Sequence, residues 1–256
     1  MIVARTIREL RAHLRGEVGL VPTMGALHEG HLSLLNAART ENDTVVMSLF
    51  VNPAQFDDSS DLARYPRDEA RDLGLAEEAG VDVVFAPAAE EMYPPGFGTW
   101  VDVDEGGAEG RARPGHFRGV ATVVLKLLSI AEPKRAYFGQ KDGRQAALIF
   151  KLVRDLALRV EVRVLPTVRD TDGLAVSSRN VHLSPEEREV ALLLPRALWS
   201  ARESADPVAA ARAALNGLEP EYVEIVPLDR ARLLAAAARV GTTRLIDNVL
   251  LEGELP

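Results

Sequence analysis

The feature that most constrains this 256-residue chain is an alternation of two hydrophobic periods along its first two-thirds. Val18–Pro22 is a short apolar run, followed by a glycine-containing turn and a helical pattern from Gly30 to Arg39. Thr44–Val51 is β-branched and apolar, as a strand buried on both faces is. The spacing then predicts an amphipathic helix over Asp68–Ala79, a strand over Val81–Ala86 closed by Pro87, and a helix over Gly119–Ile130. A short strand over Arg135–Phe138, a helix over Gly143–Leu156 and a strand over Arg159–Leu165 complete the series. Strand–helix repetition of this kind predicts an α/β fold: a doubly wound, Rossmann-like parallel sheet with helices on both faces. Such sheets bind ligands beyond the carboxyl ends of their strands.

The texture changes after Asn180. Ser184-Pro185-Glu186-Glu187 is a helix start, with serine as N-cap, proline at the first helical position and glutamate closing a capping box. Alanine-rich helices are expected next, then strands at Tyr222–Val226 and Arg244–Leu251. The expected division is a Rossmann-like unit over residues 1–174 and a smaller α+β unit over residues 175–256.

A chain with 47% hydrophobic residues and this length buries a sizeable core. Its net charge of −8 argues against broad nucleic-acid binding, although a local basic pocket still suits an anionic ligand. The absence of cysteine excludes disulfides and thiolate metal sites and fits a cytoplasmic location. The first residues carry scattered charges with no apolar core, unlike a secretory signal, and no apolar run approaches the ~20 residues that span a bilayer. Neither nucleic acid nor a membrane is therefore expected as a partner.

Four segments carry chemistry. Met24, Gly25, Ala26, Leu27, His28, Glu29, Gly30 and His31 lie where a strand gives way to a helix, where backbone N–H groups and the helix dipole attract phosphate. His28 and His31 are three apart, so they share a face of the first turn and can stabilise charge on a departing pyrophosphate. The same residues also suit a plain turn with two incidental histidines or a metal pair. Five histidines and no cysteine leave no third ligand at matching spacing, which argues against zinc. Asn52 and Gln55 follow the second strand. Asn-Pro is ordinary turn chemistry, but a glutamine at a strand's carboxyl end offers both donor and acceptor to a substrate.

In the third segment Gly139 frees a turn, Gln140 and Lys141 follow, and Asp142 can cap the next helix; Lys141 is a compact charge for phosphate. A capped helix with solvated charges is the alternative. The fourth segment, Val176, Ser177, Ser178 and Arg179, offers hydroxyls and a guanidinium for phosphate, or else is a flexible linker between the two units. A further basic segment, Arg111–Gly119, either shapes the site or is a solvated loop.

His28-Glu29-Gly30-His31 resembles the signature of the nucleotidyltransferase superfamily. The ordered set PTMGALHEGH, FVNPAQF, ARYPR, RPGHF, YFGQKD and SSRN resembles the pantothenate synthetase family from Val21 to Leu183, with a looser match beyond. The resemblance implies an ATP-dependent ligase: pantoate attacks the α-phosphate of ATP to give pantoyl adenylate, and the amine of β-alanine then displaces AMP. It implies magnesium with ATP and a homodimer. It makes His31 the proton donor; the chemistry of the residues themselves adds His28 and Lys141 to the catalytic set. Met24 to His31, Gly139 to Asp142, Val168 and Val176 to Arg179 become ATP contacts. Gln55 and Gln145 become substrate contacts, to which the strand-end turn adds Asn52. The metal ligands stay unassigned; Asp68 and Asp72 lie on the helix after Tyr65-Pro66-Arg67 without settling the matter. This chain departs from the family at Val176, Gly143 and Arg144, where relatives often carry methionine, an aromatic residue and glutamine.

Two rivals remain at this level. One is an adenylyltransferase of the same superfamily acting on another small acid or on a phosphate. The other is a non-catalytic ATP sensor, against which the pairing of both histidines with Lys141 argues.

Overall fold

A computed structural model describes residues 1–56, 59–104 and 107–256. The strands are β1 (Ile2–Ala4), β2 (Val18–Thr23), β3 (Thr44–Leu49), β4 (Val83–Phe85), β5 (Arg135–Gly139), β6 (Glu161–Leu165), β7 (Pro220–Leu228), β8 (Ala231–Val240) and β9 (Thr243–Glu252). The helices are α1 (Ile7–His13), α2 (Glu29–Glu41), α3 (Ser59–Arg64), α4 (Glu69–Glu78), α5 (Ala89–Met92), α6 (Ala108–Ala112), α7 (His116–Ala131), α8 (Gly143–Asp155), α9 (Pro185–Ala191), α10 (Leu193–Ala201) and α11 (Pro207–Ala214). None of them, among the described residues, is long and apolar enough to cross a membrane.

Strands β1 to β6 form a parallel sheet in the order β1-β4-β3-β2-β5-β6. The period-2 alternation of the strands sorts their side chains onto two faces. Leu20, Val46, Phe85 and Phe138 enter one apolar cluster with α7 and α8. Val21, Met47, Val84 and Tyr137 enter another with α2 and α4. Both faces are thus covered, as the near-continuous apolar runs require. The expected helices and strands of this unit all form. The edge strand β1 and helix α1 carry too short a pattern to have been read.

Strand order reverses between β2 and β5, which are neighbours in the sheet. Their ladder pairs only Gly19 with Arg135 and Leu20 with Ala136. Above that point the strands diverge, while β2 stays paired with β3 up to Thr23 and Leu49. A gap therefore opens between the carboxyl ends of β2 and β5, at the topological switch point.

Strands β7, β8 and β9 form an antiparallel sheet. Here the sequence expectation needs correcting. Ala235–Ala238 reads as helix, since alanine is the best helix former, yet it lies in the central strand. Ala235 and Ala237 face the core shared with α7 and α8, whereas Ala236 and Ala238 face α10 and α11. A strand packed on both sides is stabilised by burial, which outweighs a preference of under ~1 kcal/mol per residue. Two-residue turns at Asp229-Arg230 and Gly241-Thr242 close the hairpins. The expected capping box at α9 is present: Glu187 N–H donates to Ser184 Oγ at 3.1 Å and Ser184 N–H to Glu187 Oε2 at 2.9 Å.

Candidate active site

The gap between β2 and β5 holds a cavity of about 200 Å³. Its walls bring together Met24, His28, Gly30 and His31 from the β2–α2 turn with Asn52 and Gln55 from the turn after β3. Gly139, Lys141, Asp142 and Gln145 reach it from β5 and α8. Val168 and Val176 to Arg179 close it from the loop after β6. Gly25, Ala26, Leu27, Glu29 and Gln140 lie off its wall. Across Tyr65, Lys141, Ser178 and Arg179 the cavity adjoins a cleft of about 710 Å³ bounded by the C-terminal sheet.

The β2–α2 turn is organised by a carboxylate and two imidazoles. Asp72, 1% exposed, accepts from Ala26 N–H at 2.9 Å and Leu27 N–H at 2.8 Å. Gly25 has a φ of +83°, and a Cβ there would meet Asp72 Oδ2 at 2.7 Å, so glycine lets the carboxylate in. These donors, expected to be free for phosphate, are already taken by the protein. Asp68 N-caps α4 through Arg71 N–H at 3.1 Å.

The histidines cap α2 reciprocally. Gly30 N–H donates to His28 Nδ1 at 3.1 Å, and His28 N–H to His31 Nδ1 at 3.3 Å. Their rings lie 4.1 Å apart, tilted by 35°. With both Nδ1 atoms accepting, a neutral ring carries its proton on Nε2. Burial, reinforced by the charge of Lys141, pulls His28 down to about 4. Burial and the neighbouring His28 pull His31 down to about 3. At neutral pH the pair is uncharged and offers two Nε2–H donors.

Gln55 is buried, and its Oε1 accepts from Asn52 Nδ2 at 3.0 Å. Its Nε2 meets the weak acceptor Met24 Sδ, at 3.2 Å. Asn52 is held all round: its Nδ2 also donates to Gly119 O at 3.2 Å, and its Oδ1 accepts from Ala54 N–H at 3.2 Å and Tyr93 Oη at 2.8 Å. The arrangement makes Asn52 the support of Gln55. His116, from the segment that also suited a solvated loop, is buried, and its Nδ1 lies 2.8 Å from Gln55 O.

Asp142 does not cap α8; its carboxylate lies 3.8 Å from Lys141 Nζ instead. Ser177 caps the turn Ser178–His182 through Arg179 N–H at 3.3 Å, and Val176 N–H donates to Val168 O at 3.0 Å. Thr167 lines the cavity and its buried hydroxyl lacks a protein partner among the described residues, which suits contact with a ligand.

Several functional positions went unread in the sequence. Tyr65 lines both spaces, its hydroxyl bonded to Ser178 and its acidity suppressed by burial. Its place in Tyr65-Pro66-Arg67 was the available signal. Asp72 stood only as a doubtful metal ligand, since nothing local shows which turn it reaches. Groups of three or more His, Asp or Glu arranged to hold a metal ion are absent among the described residues.

The sequence profile of pantoate–β-alanine ligases matches residues 2–250. The chain belongs to the pantoate–β-alanine ligase family. It is 55% identical to the pantothenate synthetase of Roseiflexus castenholzii, over 96% of either chain. Its identity with the synthetase of Acetivibrio thermocellus is 50%, over 98% of this chain and 100% of that one. The crystal structure of the Thermus thermophilus synthetase superposes with a TM-score of 0.92 at 47% identity, covering 99% of this chain and 100% of that chain. The Francisella tularensis ligase, complexed with β,γ-ATP and β-alanine, superposes with a TM-score of 0.85 at 37% identity and 99% coverage of both. These matches extend through the C-terminal sheet, where the resemblance of motifs had been loose.

Proposed function

We propose that this ligase condenses pantoate with β-alanine at the expense of ATP, through pantoyl adenylate, releasing pyrophosphate and then AMP. The observation that carries the reading is the convergence of His28, His31, Lys141 and Arg179 with Gln55 and Gln145 on one cavity. A carboxylate is a poor electrophile, and its conversion to an acyl phosphate supplies a leaving group. That step brings two anions together and needs fixed donors and cations around the α-phosphate.

Pantoate fits the inner cavity, with Gln55 and Gln145 on its hydroxyls and the apolar wall of Val120, Val124 and Phe138 against its methyl groups. One pantoate carboxylate oxygen attacks the α-phosphorus, and the bond to the bridging oxygen breaks. The two Nε2–H donors, Lys141, Ser177, Ser178 and Arg179 stabilise the charge gathering on pyrophosphate. The β-alanine amine then attacks the acyl carbon, loses a proton, and AMP departs. As neutral rings the histidines act as hydrogen-bond donors. A cavity of about 200 Å³ is small for both substrates, since ligand pockets run to roughly 300–1,000 Å³. ATP therefore reaches toward the adjoining cleft. The loop carrying Val176 to Arg179 closes over it and excludes water from the adenylate. In this reading the C-terminal unit from residue 175 forms the lid, and that loop is its moving part.

Magnesium enters with ATP, and Asp142 is the carboxylate beside Lys141 on the cavity wall. We also read the protein as a cytoplasmic homodimer, a state that light scattering on the purified chain measures directly. The function itself is tested by incubating the protein with MgATP, pantoate and β-alanine. Pantothenate and AMP appear together by mass, and neither appears without pantoate. AMP transfer without an amide product sinks the reading in favour of an adenylyltransferase.

A further inference from the structure

We propose that Asn248, on β9 of the C-terminal sheet, is a positioning residue for Lys141. Resting on the adenylation reading above, the inference adds a residue that no motif singles out. Asn248 is 1% exposed. Its Nδ2 donates to Gln140 O at 2.7 Å and to Lys141 O at 3.0 Å, and its Oδ1 accepts from Gln140 Nε2 at 3.0 Å. Both amide hydrogens thus fix consecutive carbonyls of the turn Gln140–Asp142 that carries the lysine. That turn has no side-chain cap of its own, and neither does α8 after it. A strand more than a hundred residues away thus tethers the turn through its carbonyls, where no local side chain holds it.

Asn248 is itself immobilised. Asp247 Oδ1 accepts from Asn248 N–H at 2.8 Å, and the Asp247 carboxylate is held by Arg169 at 2.7 and 3.0 Å. Arg169 also donates to Gly173 O at 3.1 Å and Asn248 O at 3.3 Å. One polar knot therefore joins the Lys141 turn, β9 and the loop that runs on to Val176–Arg179. Gly143 lets the sheet approach: a Cβ there would meet Leu233 Cδ1 at 2.7 Å and Asn248 Nδ2 at 3.1 Å. Arg144 completes the docking on Glu224, with Nε to Oε1 at 2.7 Å. Gly143 and Arg144, two of the departures from the family pattern, thus sit where the C-terminal sheet meets the lysine turn.

The test is a double-mutant cycle on pantoate-dependent exchange of labelled pyrophosphate into ATP, using the whole protein, with Tm and circular dichroism confirming the fold. Misplacement of a catalytic group by about 1 Å costs on the order of 100-fold. Asn248→Ala is expected to lose ten- to a hundredfold in exchange while aminolysis of supplied pantoyl adenylate keeps its rate. Combined with Lys141→Ala, it is expected to add almost nothing to the loss from Lys141→Ala alone. A purely architectural Asn248 gives the product of the two losses, or slows both half-reactions alike, and either result overturns the proposal. So does full exchange in a folded Asn248→Ala beside a crippled Lys141→Ala. Full exchange in Lys141→Ala instead refutes the phosphate role of the lysine, a separate failure. Should Asn248→Ala not accumulate, Asn248→Ser, which keeps a shorter donor, enters the same cycle with the same two outcomes.

Discussion

The two turns proposed to face phosphate are built by different means. The histidine end of the β2–α2 turn caps itself: His28 and His31 bond to backbone groups two and three residues away and α2 begins on them, while Asp72 holds only the preceding Ala26 and Leu27. The lysine turn is held from outside, by Asn248 and the Asp247–Arg169 pair. A self-capped helix start does not depend on the C-terminal sheet. An externally held turn couples its chemistry to the docking of the C-terminal sheet.

The largest effect expected from this contrast is on stability. Arg169→Met leaves Asp247 buried without its cation, a loss of about 3–5 kcal/mol. Its Tm falls by on the order of 10 °C in differential scanning calorimetry. An unchanged Tm would mean that the knot does not hold the lysine side. On the other turn, His31→Ala removes a donor aimed at developing charge. Pyrophosphate exchange falls by roughly 100- to 1,000-fold with folding intact; near-normal exchange refutes the role of that imidazole.

The pH response sharpens the same difference. Both imidazoles have folded values below the ordinary one, at about 4 and about 3. The unfolded chain therefore binds protons first as pH falls. The stability this contributes is complete above about pH 6.5 and declines between there and pH 3 to 4, by up to about 1.4 kcal/mol per unit for each ring. Thermal melts from pH 8 to 4 on the parent and on His31→Asn should show a shallower decline in the variant. Parallel curves would place the proton uptake elsewhere. The smallest effect is expected of Gly143→Ala. The methyl group pushes against Leu233 and Asn248, the helix start gains propensity worth about 1 kcal/mol, and exchange falls no more than about tenfold. A loss as deep as that of His31→Ala would show the lysine turn to be the more fragile of the two.

The same contrast explains what was legible in the sequence. The strands β2, β3 and β5 are apolar runs bounded by turns, so periodicity alone predicts the parallel sheet and places a site at its carboxyl edge. His28 and His31 share a local spacing, and Ser184 with Glu187 spells its own capping box. Asp72, Asn248 and Arg169 act across 45 residues or more, and such partners leave no local trace. Ala235–Ala238 misled for a related reason: its strand conformation is imposed by packing on two faces, and intrinsic preference points the other way.

The short ladder between β2 and β5 has a consequence for redesign. Because main-chain divergence makes the hollow, its existence does not hang on any one lining side chain. Bulkier or smaller groups at inner-wall positions such as Val120 or Val124 should retune which acid is accepted, leaving the strands where they are.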